Sequence, residues 1–328
     1  MRGSVKNAGR ADRSDRDTQE VPERKPEFGL RHVGRVGGRR RRMIKTIDAF
    51  RAEADVLEEQ ARVLVTVKAY PQPSRSYGET VCVAGVRVDG GVPRWIRLYP
   101  VSYRELEFAD RFTKCQFMDL KVFRAATDQR PESYKPNIPS VVLGELLRSE
   151  HGWRDRWEYL KDLAGATTAC ELLARQSTGN APSLGLVKPA EIIDLKIEKN
   201  DAFDADRKLL AQLAAQGDLF GKEARDLLEP APYRLKYKYK CESVGCNTHT
   251  QTLIDWEAGQ AARRWQSRAG SEQRLRDMLR GKFLDEMCAP GRDPYFYLGN
   301  QHQHPGSFLV LGVFWPPAGS RPEPTLFG

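Results

Sequence analysis

Cys241, Cys246 and His249 fall within the stretch KCESVGCNTHTQTLIDWE, which continues into Asp255 and Glu257. The Cys-x4-Cys-x2-His spacing lets three soft ligands converge when the first cysteine ends a strand and the other two residues lie in the following turn, as a knuckle does for a structural Zn2+. A tetrahedral site needs a fourth ligand. Cys288, His302 and His304 are remote residues of suitable chemistry, a water would leave the site open, and metal-free burial of the thiols is the remaining reading. Read as a helix from Thr250 onward, at about 100° per residue, the segment puts Glu257 in an apolar arc with Leu253, Ile254 and Ala261, and Asp255 on the opposite, wet side. A carboxylate aimed into a core is costly unless paired or used. Glu257 is therefore the stronger catalytic candidate of the two, with a buried Lys or Arg partner as the structural alternative.

Two loops add further candidates. DQRPESYKP crowds Asp128, Arg130, Glu132 and Tyr134 directly after a strand; two carboxylates, an arginine and a tyrosine there offer a base, an anion clamp and a stacking face. An exposed, ion-paired turn has the same composition. KAYPQPSRSYGE interleaves Lys68, Tyr70, Arg75 and Tyr77, the mixture of cations and aromatic faces that a single-stranded nucleic-acid platform uses. Arg97, in the strand RWIRLYPV, and the turn residues Asn300, Gln301 and His302 complete the nucleic-acid candidates.

The elements that must carry these residues are short strands. RVLVTVKAY (62–70), TVCVAGVRV (80–88), RWIRLYPV (94–101) and QFMDLKVFRA (116–125) are rich in Val, Ile and aromatic residues and bounded by turn formers. Such spacing suits a small barrel, the oligonucleotide-binding (OB) type among them. The period then changes, and 141–176 reads as helical, with Trp153, Trp157 and Leu160 on one face. IIDLKIE, YRLKYKYKC, YFYLG and SFLVLGVFW are later strands, with helices at 205–217, Thr250–Trp265 and Ser271–Met287. The expected architecture is α+β, two small OB-like antiparallel β-barrel units with helical insertions. Its expected divisions are a disordered basic tail (1–42), a linker or helix (43–61), a first OB-like domain (62–140), a helical connector (141–182), a second domain carrying the knuckle (183–317), and a Pro-rich tail without structure (318–328).

Charge is unevenly spread. Residues 1–42 hold 13 Lys/Arg against 6 Asp/Glu, so most of the chain's formal +9 lies there and the rest is near neutral. The tail could track phosphates, or Met43 could be the start. No apolar run approaches the ~20 residues of a membrane span, so a cytoplasmic protein with thiols in place of disulfides is expected. The chain has no Gly-x4-Gly-Lys-Ser/Thr loop, dinucleotide-binding glycine fingerprint or His-Glu-x-x-His helix.

VLVTVKAYPQPSRSYGETVCVAGV, WIRLYP, DQRPESYKP, the Cys-x4-Cys-x2-His…DWE stretch and YFYLGNQHQHPGSFLVLGVFWPP together resemble a family of prokaryotic proteins described as dual OB-containing, over roughly 62–317. The resemblance implies two OB-type barrels and a role in conflict with phages, where foreign or modified nucleic acid is recognised; it supplies no active site. Three functions are then in play. Base excision of the DNA-glycosylase type can run on carboxylates beside a pocket that holds an extruded base. A non-catalytic nucleic-acid sensor would use the knuckle as a staple, and a metal-dependent nuclease would need His249 with Asp255 or Glu257 at an open metal position.

Overall fold

The computed structural model describes residues 58–74, 78–103, 106, 111–125, 128–176, 181–217 and 229–323. The basic tail, most of the 43–61 segment, Arg75 and Tyr77 lie outside the described residues. The fold is mixed α+β, built on two sheets.

The first sheet is made by β1 (Glu59–Lys68), β2 (Gln72–Ser74), β3 (Gly78–Arg87), β4 (Arg94–Val101), β5 (Gln116–Arg124) and β6 (Ser133–Leu146). It runs β1-β5-β6-β4-β3-β2, and an additional β1–β3 pairing closes five of the strands into a barrel. Closure works because β1 is long: its first half, Glu59–Leu64, pairs with β5, and its second, from Val63 onward, pairs with β3. The β4–β6 pair is parallel and the other described pairs in this sheet are antiparallel. Alternate residues Ala61, Val63 and Val65 fill the barrel with Val83, Ile96, Leu98, Leu120 and Val122. A bulge between Val65 and Val67 then reverses the parity of β1. Val67 consequently joins a second apolar cluster outside the barrel.

The helical reading of 141–176 is corrected at its start, because residues 141–146 belong to β6. Pairing with β5 overrides the helix pattern there. A 3-10 turn (His151–Trp153) then leads into α1 (Arg154–Leu160) and α2 (Ala169–Arg175). Trp157 and Leu160 are buried together with Trp153, as their spacing predicts. They pack with Val67 and Val86 of the barrel and with Tyr295 and Phe314 of the second sheet. Of the expected unstructured tail 318–328, residues 318–323 are described and are held in place, and 324–328 lie outside the described residues. Ser320 accepts a hydrogen bond from the Trp157 indole at 3.1 Å, and Arg321 donates to the Lys161 carbonyl.

The second sheet contains β7 (Leu184–Val187), β8 (Pro189–Lys199), β9 (Tyr233–Cys241), β10 (His249–Leu253), β11 (Tyr295–Gln301) and β12 (His304–Phe314), in the order β7-β11-β12-β10-β9-β8. Its end strands, β7 and β8, are separated in the chain only by Lys188. The β10–β12 pair is parallel, through Leu253 and Val310. Helix α3 (Phe203–Gly217) lies between β8 and β9. Helices α4 (Trp256–Ala269) and α5 (Glu272–Arg280), with a π-helical turn Gly281–Glu286, lie between β10 and β11. β9 alternates strictly: Tyr233, Leu235, Tyr237, Tyr239 and Cys241 are buried, while Arg234, Lys236, Lys238 and Lys240 face outward. The core beneath is closed by Ala258, Ala262, Leu275, Leu279 and Phe283.

Candidate functional site

Where β10 ends, the chain turns at Asp255 into α4. The expected helix from Thr250 is corrected here, since 249–253 is a strand paired to β9 and the helix begins at Trp256. The assignment of the two carboxylates reverses with it. Asp255 is the buried one, 5 % exposed, and Glu257 is half-exposed. Asp255 caps the helix: its Oδ1 accepts from the Glu257 and Ala258 N–H groups at 2.8 and 3.2 Å. Its backbone bridges to Ala69, and the Tyr70 N–H donates to the Ile254 carbonyl, so the turn is stitched to the end of β1. Lys114, in the loop before β5, donates to Asp255 Oδ2 and forms an ion pair with Glu257. A β-carbon at residue 312 would lie 2.9 Å from Asp255 Oδ2, which is why Gly312 stands opposite the carboxylate.

These three charged groups line a cavity of about 220 Å³ together with Thr66, Cys115, Arg156 and the rings of Trp153, Tyr297, Phe314 and Trp315. A cavity of roughly 150 Å³ already accepts benzene, so this one has room for a single flat heterocycle. The Arg156 guanidinium lies over the Trp153 ring at 4.4 Å. Cys115 and Trp153 both hold positive φ, 62° and 67°. A non-glycine residue in that region costs on the order of 1 kcal/mol or more, and such strain gathers at functional sites. Burial pushes the Asp255 carboxyl up to about 7 against the pull of Lys114. Partial burial acts to raise Glu257 too, but there Lys114 wins and the carboxyl falls to about 2. Burial opposes the charge on Lys114, and the two carboxylates more than offset it, so the ammonium is held above its ordinary range. The chemistry available is a carboxyl poised to exchange a proton at neutral pH beside a fixed cation.

The loop candidates form a second cluster with a different role. Ser183 donates through N and Oγ to Glu132 at 2.8 and 2.9 Å, and the Arg97 guanidinium donates to the Ser183 carbonyl and hydroxyl. Arg130 grips Asp128 with two nitrogens and donates to the Asn300 carbonyl and side chain. Burial works to raise Asp128, yet Arg130 holds it well below the usual carboxylate range. His302 Nδ1 lies 3.3 Å from Asp128. The structure thus brings Asp128, Glu132, Arg97, Arg130, Asn300 and His302 together, but as internal partners joining the first barrel to the second sheet. Arg97 Nε is buried without a partner and His302 is half-exposed, but the other polar atoms are largely spent on internal partners, which corrects the expectation that Arg97, Arg130 and Asn300 face nucleic acid and that Asp128 and Glu132 serve as catalytic groups.

Lys68 and Tyr70 are corrected for a similar reason. Lys68 is buried, donating to the Tyr103 hydroxyl at 3.1 Å with its ammonium over the Tyr103 ring, and burial lowers its pKa. Tyr70 is buried against α4, its hydroxyl bonded to the Glu229 carbonyl. Tyr134 is packed in the first barrel's core, with Arg124 over its ring. Gln301 and His302 remain exposed on the β11–β12 hairpin.

The knuckle residues converge as their spacing predicts, and the fourth member is Cys170 of α2, which sequence reasoning missed. The ligand atoms of Cys170, Cys241, Cys246 and His249 all lie within 4.8 Å of one another. This Cys3His cluster could hold a metal such as zinc. Cys288 is elsewhere, its Sγ 3.8 Å from the Phe283 carbonyl and its thiol pushed up to about 12 by burial. His302 and His304 lie on the exposed hairpin, so none of the remote candidates completes the set. Lys114 was missed as well, being a lone lysine in a loop with no local pattern. The outward row on β9 was legible as alternation but not as a site.

A closed barrel and a second six-stranded sheet, joined across a charged, aromatic-walled cavity and accompanied by a Cys3His cluster, define an α+β protein with two separate candidate sites. The chain belongs to the family described as Domain of unknown function (DUF8757), whose model matches residues 165–328. A second model, Domain of unknown function (DUF8758), matches residues 59–162. No curated protein matches significantly. A solved structure of a murine DNA-binding protein bound with double-stranded DNA aligns over 78 % of this chain and 97 % of its own, at 9 % identity and a TM-score of 0.27; so low a score carries no argument. No helix among the described residues is long and apolar enough to cross a membrane.

Proposed function

We propose that this chain is a DNA-directed protein built on two OB-type barrels, which excises a base from foreign or modified DNA as a DNA glycosylase does. The observation that carries the proposal is the cavity that Asp255, Lys114 and Glu257 line together with the rings of Trp153, Phe283, Tyr297, Phe314 and Trp315. An enzyme that acts on a base must take it out of the stack and hold it between apolar faces. In this reading Asp255 removes a proton from a water as the water bonds to the sugar C1′. The electrons of the breaking C–N bond leave with the base, and Lys114 stabilises the negative charge that develops there. A lysine held protonated is not a nucleophile. The reaction therefore stops at an abasic site, without strand cleavage.

The barrel reading is supported by connectivity. In the first sheet the cyclic order is first, fourth, fifth, third, second strand, with the third and fifth parallel, if β1, β3, β4, β5 and β6 are counted in chain order. Counting β7 and β8 as one bent strand gives the second sheet the same order. On that count β9 and β10 are the second and third strands, the face on which OB barrels bind oligonucleotides. Arg234, Lys236, Lys238 and Lys240 project from it. A defence role against phages follows from the family resemblance, and a Zn2+ in the knuckle is in this reading structural. Among the described residues no carboxylate joins the Cys3His cluster, so nothing favours a metal-dependent nuclease.

The test is to incubate the protein with plain DNA and with base-modified phage DNA and to resolve the products with and without alkali. Breaks that appear only after alkali, in one substrate, and disappear with Asp255→Asn are the expected result. Intact DNA under every condition, with binding retained, would replace excision by sensing.

A further inference from the structure

We propose that Cys170, Cys241, Cys246 and His249 bind one Zn2+ in a closed tetrahedral site, and that the ion fastens α2 to the β9–β10 hairpin. This rests on the geometry of the four ligands and is independent of what the cavity does.

The three sulfurs do not merely lie near one another; they converge on one atom. Cys170, Cys241 and Cys246 place Sγ at 3.4, 3.5 and 3.3 Å from the same His249 Nε2. A neutral imidazole nitrogen offers one lone pair or one proton. Three thiols around it cannot all be satisfied by hydrogen bonds. A cation at the centre satisfies all four groups at once. The spacings agree with that arrangement: bond lengths of about 2.3 Å to sulfur and about 2.0 Å to nitrogen place tetrahedral neighbours roughly 3.5 Å apart for S···N and roughly 3.8 Å for S···S. The Cys241–Cys170 separation is 3.6 Å.

The local structure is built to deliver these ligands. Cys241 is the last inward residue of β9 and His249 the first of β10, opposite Tyr239. The connection between them turns through Gly245 at φ 74°, a conformation glycine adopts without strain, and a Cys246 N–H to Ser243 carbonyl bond holds the turn. Cys170 arrives from the other side of the cluster. Its helix begins with a full capping box between Thr168 and Glu171, and the Thr168 hydroxyl reaches the Ser243 hydroxyl at 2.6 Å. Four protein ligands leave no open position, which is the signature of a structural and not a catalytic zinc. Because α2 precedes β7 in the segment that leads into the second sheet, and the hairpin joins β9 to β10 of that sheet, the ion ties the connector to the second sheet.

The full chain, purified under reducing conditions without chelator, should contain one zinc per chain by mass spectrometry. Replacing it with Co2+ should give the intense visible bands of a tetrahedral thiolate site. Cys170→Ser should weaken metal binding at least tenfold, whereas Cys288→Ser should retain a full equivalent. Zinc-free protein that also fails to take up Co2+ would overturn the proposal. A full zinc equivalent bound with unchanged affinity by Cys170→Ser would overturn the closed site, leaving three protein ligands and a water. Both decisive readings on the wild-type chain hold whether or not a variant folds, and neither depends on base excision.

Discussion

At the scale of single residues, Asp255 carries three duties: helix cap, partner of Lys114 and candidate base. These separate on substitution. Asparagine caps a helix about as well as aspartate, so Asp255→Asn should shift the melting temperature little while lowering excision by about 100-fold or more, the scale of a lost general base. Its pH dependence gives a second handle. The folded carboxyl sits at about 7, against about 3.9 in an unfolded chain. In that window the folded state binds the proton that the unfolded state has released. The stability this contributes is whole below about pH 4 and is lost as pH rises through about 7, at roughly 1.4 kcal/mol per unit. Glu257, lowered to about 2, acts with the opposite sign at more acid pH. Unfolding in denaturant across this range should show stability falling in the wild type and a flatter curve in Asp255→Asn; equal slopes would mean that Asp255 is ionised throughout.

At the scale of elements, α4 is positioned by close contact as much as by its cap. A β-carbon at residue 259 would lie 2.1 Å from Tyr70 Cδ2. Helix propensity alone makes Gly→Ala favourable by about 1 kcal/mol, but overpacking costs roughly 1–3 kcal/mol. Gly259→Ala should therefore destabilise, and a gain in denaturant midpoint would show that α4 is not seated on Tyr70. This contact also explains what the sequence could reveal. Strands such as β4 and β9 were legible to the residue, β9 because alternating burial writes a period of two directly into residue types and β4 because its apolar and aromatic residues stand between turn formers. The start of α4 was not, since HTQTL carries no such pattern and its pairing with β9 is a long-range choice. One misplaced boundary reversed the roles of Asp255 and Glu257. Cys170 was equally hidden, lying 71 positions from Cys241 on a helix whose place only tertiary contacts fix.

At the scale of the whole molecule, the charged residues divide into those that hold the two sheets together and those that face outward. Arg97 and Glu132 belong to the first group, buried and both bonded to Ser183; the first was expected to face nucleic acid and the second to be catalytic. The outward group includes the row on β9. Lys236 and Lys240 pair with Glu198 and Glu191 at 2.6 and 3.2 Å, contacts that are partly exposed and worth at most about 1 kcal/mol each. A phosphate backbone can displace such partners at little cost. If the row tracks DNA, each lysine releases counterions, and the slope of log affinity against log salt includes about 0.9 per phosphate contact. Replacing Lys236, Lys238 and Lys240 by Gln should then reduce that slope by between two and three, with the melting temperature almost unchanged. The comparison needs only affinities measured at several salt concentrations on one duplex and one single strand. An unaltered slope would assign the row to solvation and move the search for the DNA path to the β11–β12 hairpin, where Gln301 and His302 remain exposed.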